Sequence, residues 1–220
     1  MDAKDPSHVF ELALTGGVQK GGKPVVIIWP CPLSVDAYVA AGASVEVPRP
    51  PCPTCSAAMG FWGSYQRDLR VGAIVRLAVR RVRCRHCACS HALLPDFATQ
   101  GRLDPVEVIG AALDAIATGA GARTAGPAGV PHTTVRSWRR RFAERAPMLT
   151  TGFCAAAVAL GDLAPRLPAG VLGAATAATR AAVTAAVRRL GAVGAVWRVA
   201  NRIIGGQLLT TNTDPPWAAA

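Results

Sequence analysis

Four cysteines at two short spacings set the chemistry: Cys52-Pro-Thr-Cys55, then 28 residues, then Cys84-Arg-His-Cys87. Two thiolates in each loop can grip one side of a tetrahedral Zn2+, provided the residues between them fold as a hairpin that brings the loops together. That is the outline of a zinc ribbon, with Cys52, Cys55, Cys84 and Cys87 as the economical ligand set. His86, Cys89 and His91 crowd the second loop, so one of them can substitute for Cys87 or stand behind the ligands as a hydrogen-bond donor. A closed four-thiolate shell leaves no position for water, so the zinc is expected to be structural and hydrolysis is disfavoured. Cys31, flanked by prolines, reads as a buried thiol rather than a ligand.

A second stretch, Val130-Pro-His-Thr-Thr-Val-Arg-Ser-Trp-Arg-Arg-Arg-Phe142, reads as a basic recognition helix running to about Arg145. Val135, Trp138 and Phe142 fall at i, i+3 and i+7 and form one buried stripe. His132, Thr133, Arg136, Arg139 and Arg140 point elsewhere. Small polar residues at a helix tip with Arg one turn on suit insertion into a major groove, although a solvated basic face has the same pattern.

The elements that must position these groups follow from local signals. Pro24 to Trp29 is an apolar run of strand length. Ser34 caps a short helix from Val35 to Ala41, ended by Gly42. Ser44 to Pro48 alternates like a strand, giving a small sheet beside the ribbon. Between the cysteine pairs, Gly60 to Tyr65 and Ile74 to Arg80 read as strands joined by a turn near Asp68 to Gly72. Val75, Leu77 and Val79 share one face and Arg76 and Arg80 the other, and Arg81-Val82-Arg83 shifts the alternation, which predicts a bulge or bend before Cys84. Asp104, Pro105 and Glu107 together signal a helix start, with Ile109, Leu113 and Ile116 at core spacing and a stop at Gly119-Ala-Gly121. A second helix is expected over about Ala122 to Ala128, broken or partly 3-10 because Gly126-Pro127 interrupts it. Beyond Pro147, Phe153 to Leu160, Ala169 to Leu190 and Gly194 to Ile204 are helix-forming runs, and Val183, Val187 and Leu190 suggest an apolar stripe.

The expected fold class is therefore α+β: a small zinc-ribbon β domain, then a helix-turn-helix, then an Ala-rich helical tail. The expected organisation is a flexible arm over 1–23, a β-rich segment with the ribbon over 24–100, the helix-turn-helix over 101–147 and the tail over 148–220.

Composition limits the partners. Lys and Arg number 24 against 13 acids, a net charge of +11, and 21 of the 24 are Arg. Arg forks match phosphates and guanine edges, so a polyanion is favoured, although a GC-rich genome also inflates Arg. Seven cysteines, an odd count, suit metal binding in a reducing compartment better than a disulfide framework. The N-terminus lacks a basic start with an apolar run after it, and no stretch reaches the roughly 20 apolar residues of a membrane span. A cytoplasmic, nucleoid-associated location is expected. Two-metal phosphoryl transfer needs several convergent carboxylates, and only Asp162 and Asp214 follow Glu144, so the chain is read as no enzyme.

The run from about Val25 to Phe142 resembles a family of uncharacterised bacterial proteins encoded near transposases and integrases, which join a zinc ribbon to a helix-turn-helix. The matching pieces are Trp29-Pro-Cys-Pro-Leu-Ser34, the pairs Cys52/Cys55 and Cys84/Cys87, His91-Ala-Leu-Leu-Pro95, and Gly129 to Trp138. Similar heads precede the catalytic domains of several transposases. The resemblance implies an accessory factor or regulator of a mobile element, with a transposase or integrase as a possible partner. The expected function is a zinc-containing double-stranded-DNA binder. His132, Thr133, Arg136, Arg139 and Arg140 would reach bases, Arg76 and Arg80 would hold phosphates, and the tail would form a homodimer. The alternative is a protein-interaction module that docks onto a transposase or polymerase.

Overall fold

The computed structural model describes residues 25–210. The expected arm and the last extended stretch from residue 211 onward lie outside them. The described chain divides into two compact units: residues 25–105 with Asn201–Gln207, and Val106–Ala200 with 208–210.

In the first unit, β1 (Val26–Trp29), β2 (Met59–Val71), β3 (Ala73–Cys84) and β4 (Ser90–Pro95) form one four-stranded sheet in the order β1-β4-β3-β2. β1 runs parallel to β4, and β3 is antiparallel to both β4 and β2. The separate small sheet expected beside the ribbon is thus part of the same sheet. Val45 and Val47 are buried and Glu46 exposed, as the alternation required, yet 45–50 forms no strand. Pro48, Pro50 and Pro51 have no N–H to give a ladder. The alternation reported burial, not pairing.

The hairpin is longer than its two expected strands, turning at Gly72 with φ +83°. Its bulge lies on β2, where the register shifts between Phe61 and Gly63, rather than on β3 as predicted. Opposite it, burial on β3 changes sides: Leu77 and Val79 are buried, then Val82 and Cys84. The bulge lets the ribbon bury one face against the core and the other face near the cysteines. Helix α1 (Val35–Ala41) starts and stops as expected, with Ala37 N–H donating to Ser34 Oγ at 3.2 Å. It sets Tyr38 into the core, where the hydroxyl donates to Ala78 O at 2.9 Å and the ring meets Phe97 edge-on at 5.4 Å. Burial pushes the Tyr38 phenol up to about 12.

The second unit is helical: α2 (Val106–Ala117), α3 (His132–Ala159), α4 (Val171–Leu190) and α5 (Val196–Ile203), whose last residues belong to the first unit. Ile109, Leu113 and Ile116 are buried as predicted, together with Val135, Trp138 and Phe142. The segment expected to be a second helix contains turns instead. Ala125 N–H donates to Gly121 O at 2.9 Å, closing a single turn. Gly126 then lies so near α3 that a Cβ there would stand 2.6 Å from Val135 Cγ2. Gly126-Pro127 serves this close approach rather than a helix.

Helix α3 does not stop near Arg145. It runs to Ala159 with Pro147 inside it. The buried faces of Leu149, Phe153, Ala156 and Ala157 hold its second half in place, which outweighs the hydrogen bond a proline removes. The stripe expected on α4 is also different. Val187 and Leu190 are exposed, and the buried face is Ala175, Ala178, Thr179, Ala182, Val183, Ala185 and Ala186. No helix among the described residues is long and apolar enough to cross a membrane.

Candidate metal centre and basic helix

The first cysteine loop precedes β2, and the second closes β3, whose last residue is Cys84. Met59 pairs with Cys84 across the ladder, so the hairpin itself carries one loop to the other. Each loop turns by the same device. The residue after its second cysteine has positive φ, Ser56 at 59° and Ala88 at 58°. Ser56 N–H donates to Cys52 O at 2.7 Å, and Cys84 N–H to Cys89 O at 2.9 Å.

The sulfurs of Cys52, Cys55, Cys84 and Cys87 all lie within 4.8 Å of one another. Cys55 and Cys84 Sγ are 3.4 Å apart, Cys52 and Cys87 Sγ 3.6 Å. A tetrahedral ion with bonds of about 2.3 Å to sulfur requires edges of about 3.8 Å, so the cluster has the right size. The four cysteines can hold a metal ion such as zinc.

The electrostatics favour a cation. The Cys84 thiol is lowered to about 6, first by the backbone N–H of Cys87 and then by that of His86 and by neighbouring thiols, against the opposing effect of burial. Cys55 is pushed the other way, to about 12. The Ala57 amide lowers it, but burial and the thiols of Cys84, Cys52 and Cys87 together outweigh that amide. Crowded thiols resist joint ionisation, and a bound divalent cation removes the conflict.

The three other candidates of the second loop do not enter the cluster. His86 is exposed, and Cys89 contributes its carbonyl to the turn. His91 is buried with Nδ1 3.4 Å from the Val25 N–H and Nε2 3.7 Å from Cys52 Sγ. A backbone N–H can only donate, so Nδ1 is the acceptor, Nε2 carries the proton and the ring is a donor to the Cys52 sulfur. Cys31 is buried and stands outside the four-cysteine cluster, as read.

On α3, His132, Thr133, Arg136, Arg139 and Arg140 are all exposed, while Val135, Trp138 and Phe142 are buried. At 3.6 residues per turn the five fall within an arc of about 120°. None of the three guanidiniums is in an ion pair with a described residue. By contrast, most tail arginines are paired: Arg180 with Asp114 at 2.6 Å, Arg188 with Asp162, Arg198 with Glu107 and Arg202 with Asp96 at 3.6 Å. Glu107, read as part of the helix start, stands in the first turn of α2 and serves Arg198.

Two arginines of the ribbon serve its own fold. Arg67 donates to the carbonyls of Thr99 and Arg102, and Arg70 pairs with buried Asp104 at 2.9 Å. Of the two expected phosphate contacts, Arg76 is well exposed and 3.9 Å from Asp68, whereas Arg80 donates to Ala43 O and lies 5.5 Å from the Phe61 ring.

Sequence reasoning missed Trp197 and Gly110. A Cβ on Gly110 would stand 2.0 Å from Trp197 Cγ. The indole N–H donates to Asp114 Oδ2 at 2.9 Å, and its ring meets Phe142 edge-on at 6.3 Å. Trp197 thus fastens α3 to α2. A glycine in the middle of an amphipathic helix is the one signal of such an approach.

Fold and site together define an α+β protein whose four-stranded sheet carries a four-cysteine, metal-binding-type cluster and is followed by several helices. A family model described as a domain of unknown function, DUF6431, matches residues 52–138, from the first cysteine to Trp138 on α3. The match spans less than half of the chain. No curated protein and no solved structure is detectably similar to it.

Proposed function

We propose that this protein is a metal-stabilised, non-catalytic reader of double-stranded DNA, acting as an accessory factor or regulator of a mobile element. The observation that carries the reading is the exposed basic arc of α3, whose arginines form no ion pair among the described residues: His132, Thr133, Arg136, Arg139 and Arg140 stand in solvent on one face, while most tail arginines are matched by acids. Pro131 offers no side-chain cap to the start of α3, so the partial positive charge of that helix end is left to a phosphate. Arg76 adds an exposed cation on the ribbon, and the zinc would be structural, holding the hairpin. The link to a transposase or integrase, and a nucleoid-associated location, rest on the family resemblance and the charge.

A second reading is an interaction module. Leu163 is 90% exposed and Val193 75%, and Val187 and Leu190 are also exposed. Leu163 and Val187 flank the Asp162–Arg188 ion pair, so this end of the helical unit offers apolar surface to a second copy or to a partner chain.

Selection from a randomised duplex pool, at two salt concentrations, tests the first reading. An enriched motif that is lost in Arg136→Glu/Arg140→Glu, with a salt slope falling by about 0.9 per phosphate contact removed, is expected. No enrichment, with binding equally weak in both proteins, refutes it. A concentration-dependent sedimentation mass that a Leu163→Asp/Val187→Asp variant abolishes would support the homodimer.

A further inference from the structure

We propose that the edge of the β2–β3 ribbon is a second nucleic-acid surface, one that takes unpaired bases of a single strand by stacking on Trp62 and its neighbours. Every exposed aromatic among the described residues lies in one five-residue stretch of β2: Phe61 at 47%, Trp62 at 59% and Tyr65 at 40%. The other described aromatics, such as Trp29, Tyr38, Trp138, Phe142 and Trp197, are buried. Three apolar rings gathered on an edge strand are a liability that a free surface avoids.

Charge identifies the occupant. Arg83 stands 4.7 Å from the Trp62 ring centroid, and Arg49 and Arg80 each stand 5.5 Å from that of Phe61. Rings interleaved with guanidiniums match a partner that has both π faces and negative charge, which is a nucleic-acid strand. An apolar protein partner would leave these cations without counter-charge. Pairing with a strand from another protein is opposed by the bulge, because the register shift between Phe61 and Gly63 falls within the aromatic stretch and breaks the straight edge such pairing needs. Arg80 and Arg83, three apart on β3, face opposite sides of the strand. The ribbon therefore presents a ring beside a guanidinium on each face. Bases within a duplex are already stacked on one another, so the exposed parts of these rings select unpaired ones.

This surface lies on the sheet unit and the α3 residues proposed to read duplex lie on the helical unit, and the two proposals fail separately. The test is fluorescence anisotropy of the full, zinc-loaded chain with three labelled 20-mers: oligo-dT, an abasic strand of equal charge, and a duplex. Oligo-dT should bind at least about tenfold more tightly than the abasic strand. Trp62→Ala should remove about tenfold of that affinity, the loss of one base–aromatic stack, while Trp62→Phe retains most of it and duplex binding is unchanged. Arg136→Glu/Arg140→Glu should do the reverse. An oligo-U arm then tells RNA from DNA as the source of the strand. Equal affinity for oligo-dT and the abasic strand, or loss with Arg83→Ala but not with Trp62→Ala, would overturn the proposal in favour of a generic polyanion surface. A parallel loss of strand and duplex in Trp62→Ala would equally overturn it, by making the ribbon part of the duplex site.

Discussion

Replacing Gly110 with Ala tests how α3 is held. In most exposed helix interiors this change stabilises by about 0.8–1 kcal/mol. Here the new methyl carbon would stand 2.0 Å from Trp197 Cγ and 2.2 Å from Cδ1 and Cδ2. Carbon atoms settle at about 3.5–4 Å, so the indole must retreat by roughly 1.5 Å. Its hydrogen bond to Asp114, 2.9 Å long, does not survive such a shift. Overpacking costs about 1–3 kcal/mol and a lost hydrogen bond to a charged acceptor about 1.5–3 kcal/mol. Less the propensity gain, and allowing for overlap between these effects, the net loss should be about 2–4 kcal/mol. Urea unfolding of the zinc-loaded protein measures it. The decisive arm is a double-mutant cycle: in a Trp197→Leu background the same Gly110→Ala change should cost little or become favourable, because the ring it collides with is gone. An equal cost in both backgrounds would refute the reasoning. Because Phe142 packs on the same ring, Gly110→Ala should also weaken duplex binding without touching a basic residue.

Other expectations are as direct. Cys84→Ser should lose both metal and stability, whereas Cys89→Ser and Cys31→Ser should keep one zinc per chain; retention in Cys84→Ser, measured by metal analysis after gel filtration, would reject the four-cysteine set. Ala88 sits at φ 58°, where a side chain costs about 1–2 kcal/mol. Ala88→Gly should therefore raise stability by about 0.5–1 kcal/mol and slow zinc loss to a chelator, and a lower unfolding midpoint would count against it. Tyr38 has an ordinary value of 10.0 raised to about 12 by burial. The fold thus favours the protonated phenol, so its contribution is complete below pH 10 and is lost as pH rises from 10 towards 12. Tyr38→Phe should flatten the fall of the unfolding midpoint in that window, and an unchanged slope would show that other groups cause it.

Local signals carried the parts of this protein that local chemistry builds. The cysteine spacing, the Ser34 and Gly42 ends of α1, and the Val135, Trp138 and Phe142 stripe each depend on residues within one or two turns. What escaped depends on distant partners. β4 is six residues long and becomes a central strand only because β1 pairs with it on one side and β3 on the other. Pro147 reads as a stop, and burial along the second half of α3 overrode it. Val187 and Leu190 look like a core stripe, yet the interior face of α4 is mostly alanine, whose small side chains let helices approach closely and carry little hydrophobic signal. The bulge was legible as a break in alternation, but not the strand on which it falls. Four of the six tail arginines could not be assigned ion pairs in advance, since their acids lie 26 to 106 residues away in sequence.

The unbroken length of α3 has a mechanical consequence. From Phe153 in the interior to His132 at the exposed tip is about 30 Å along the axis, at 1.5 Å per residue. The basic face therefore rides on the far end of a lever whose fulcrum is the buried half. A tilt of about 5° at that fulcrum would carry the tip through roughly 2.6 Å, close to one hydrogen-bond length. Small packing changes in the Ala-rich helices would be felt at the tip as a change of aim, so under the proposed duplex-reading role the tail would act as the mount that keeps the helix sighted.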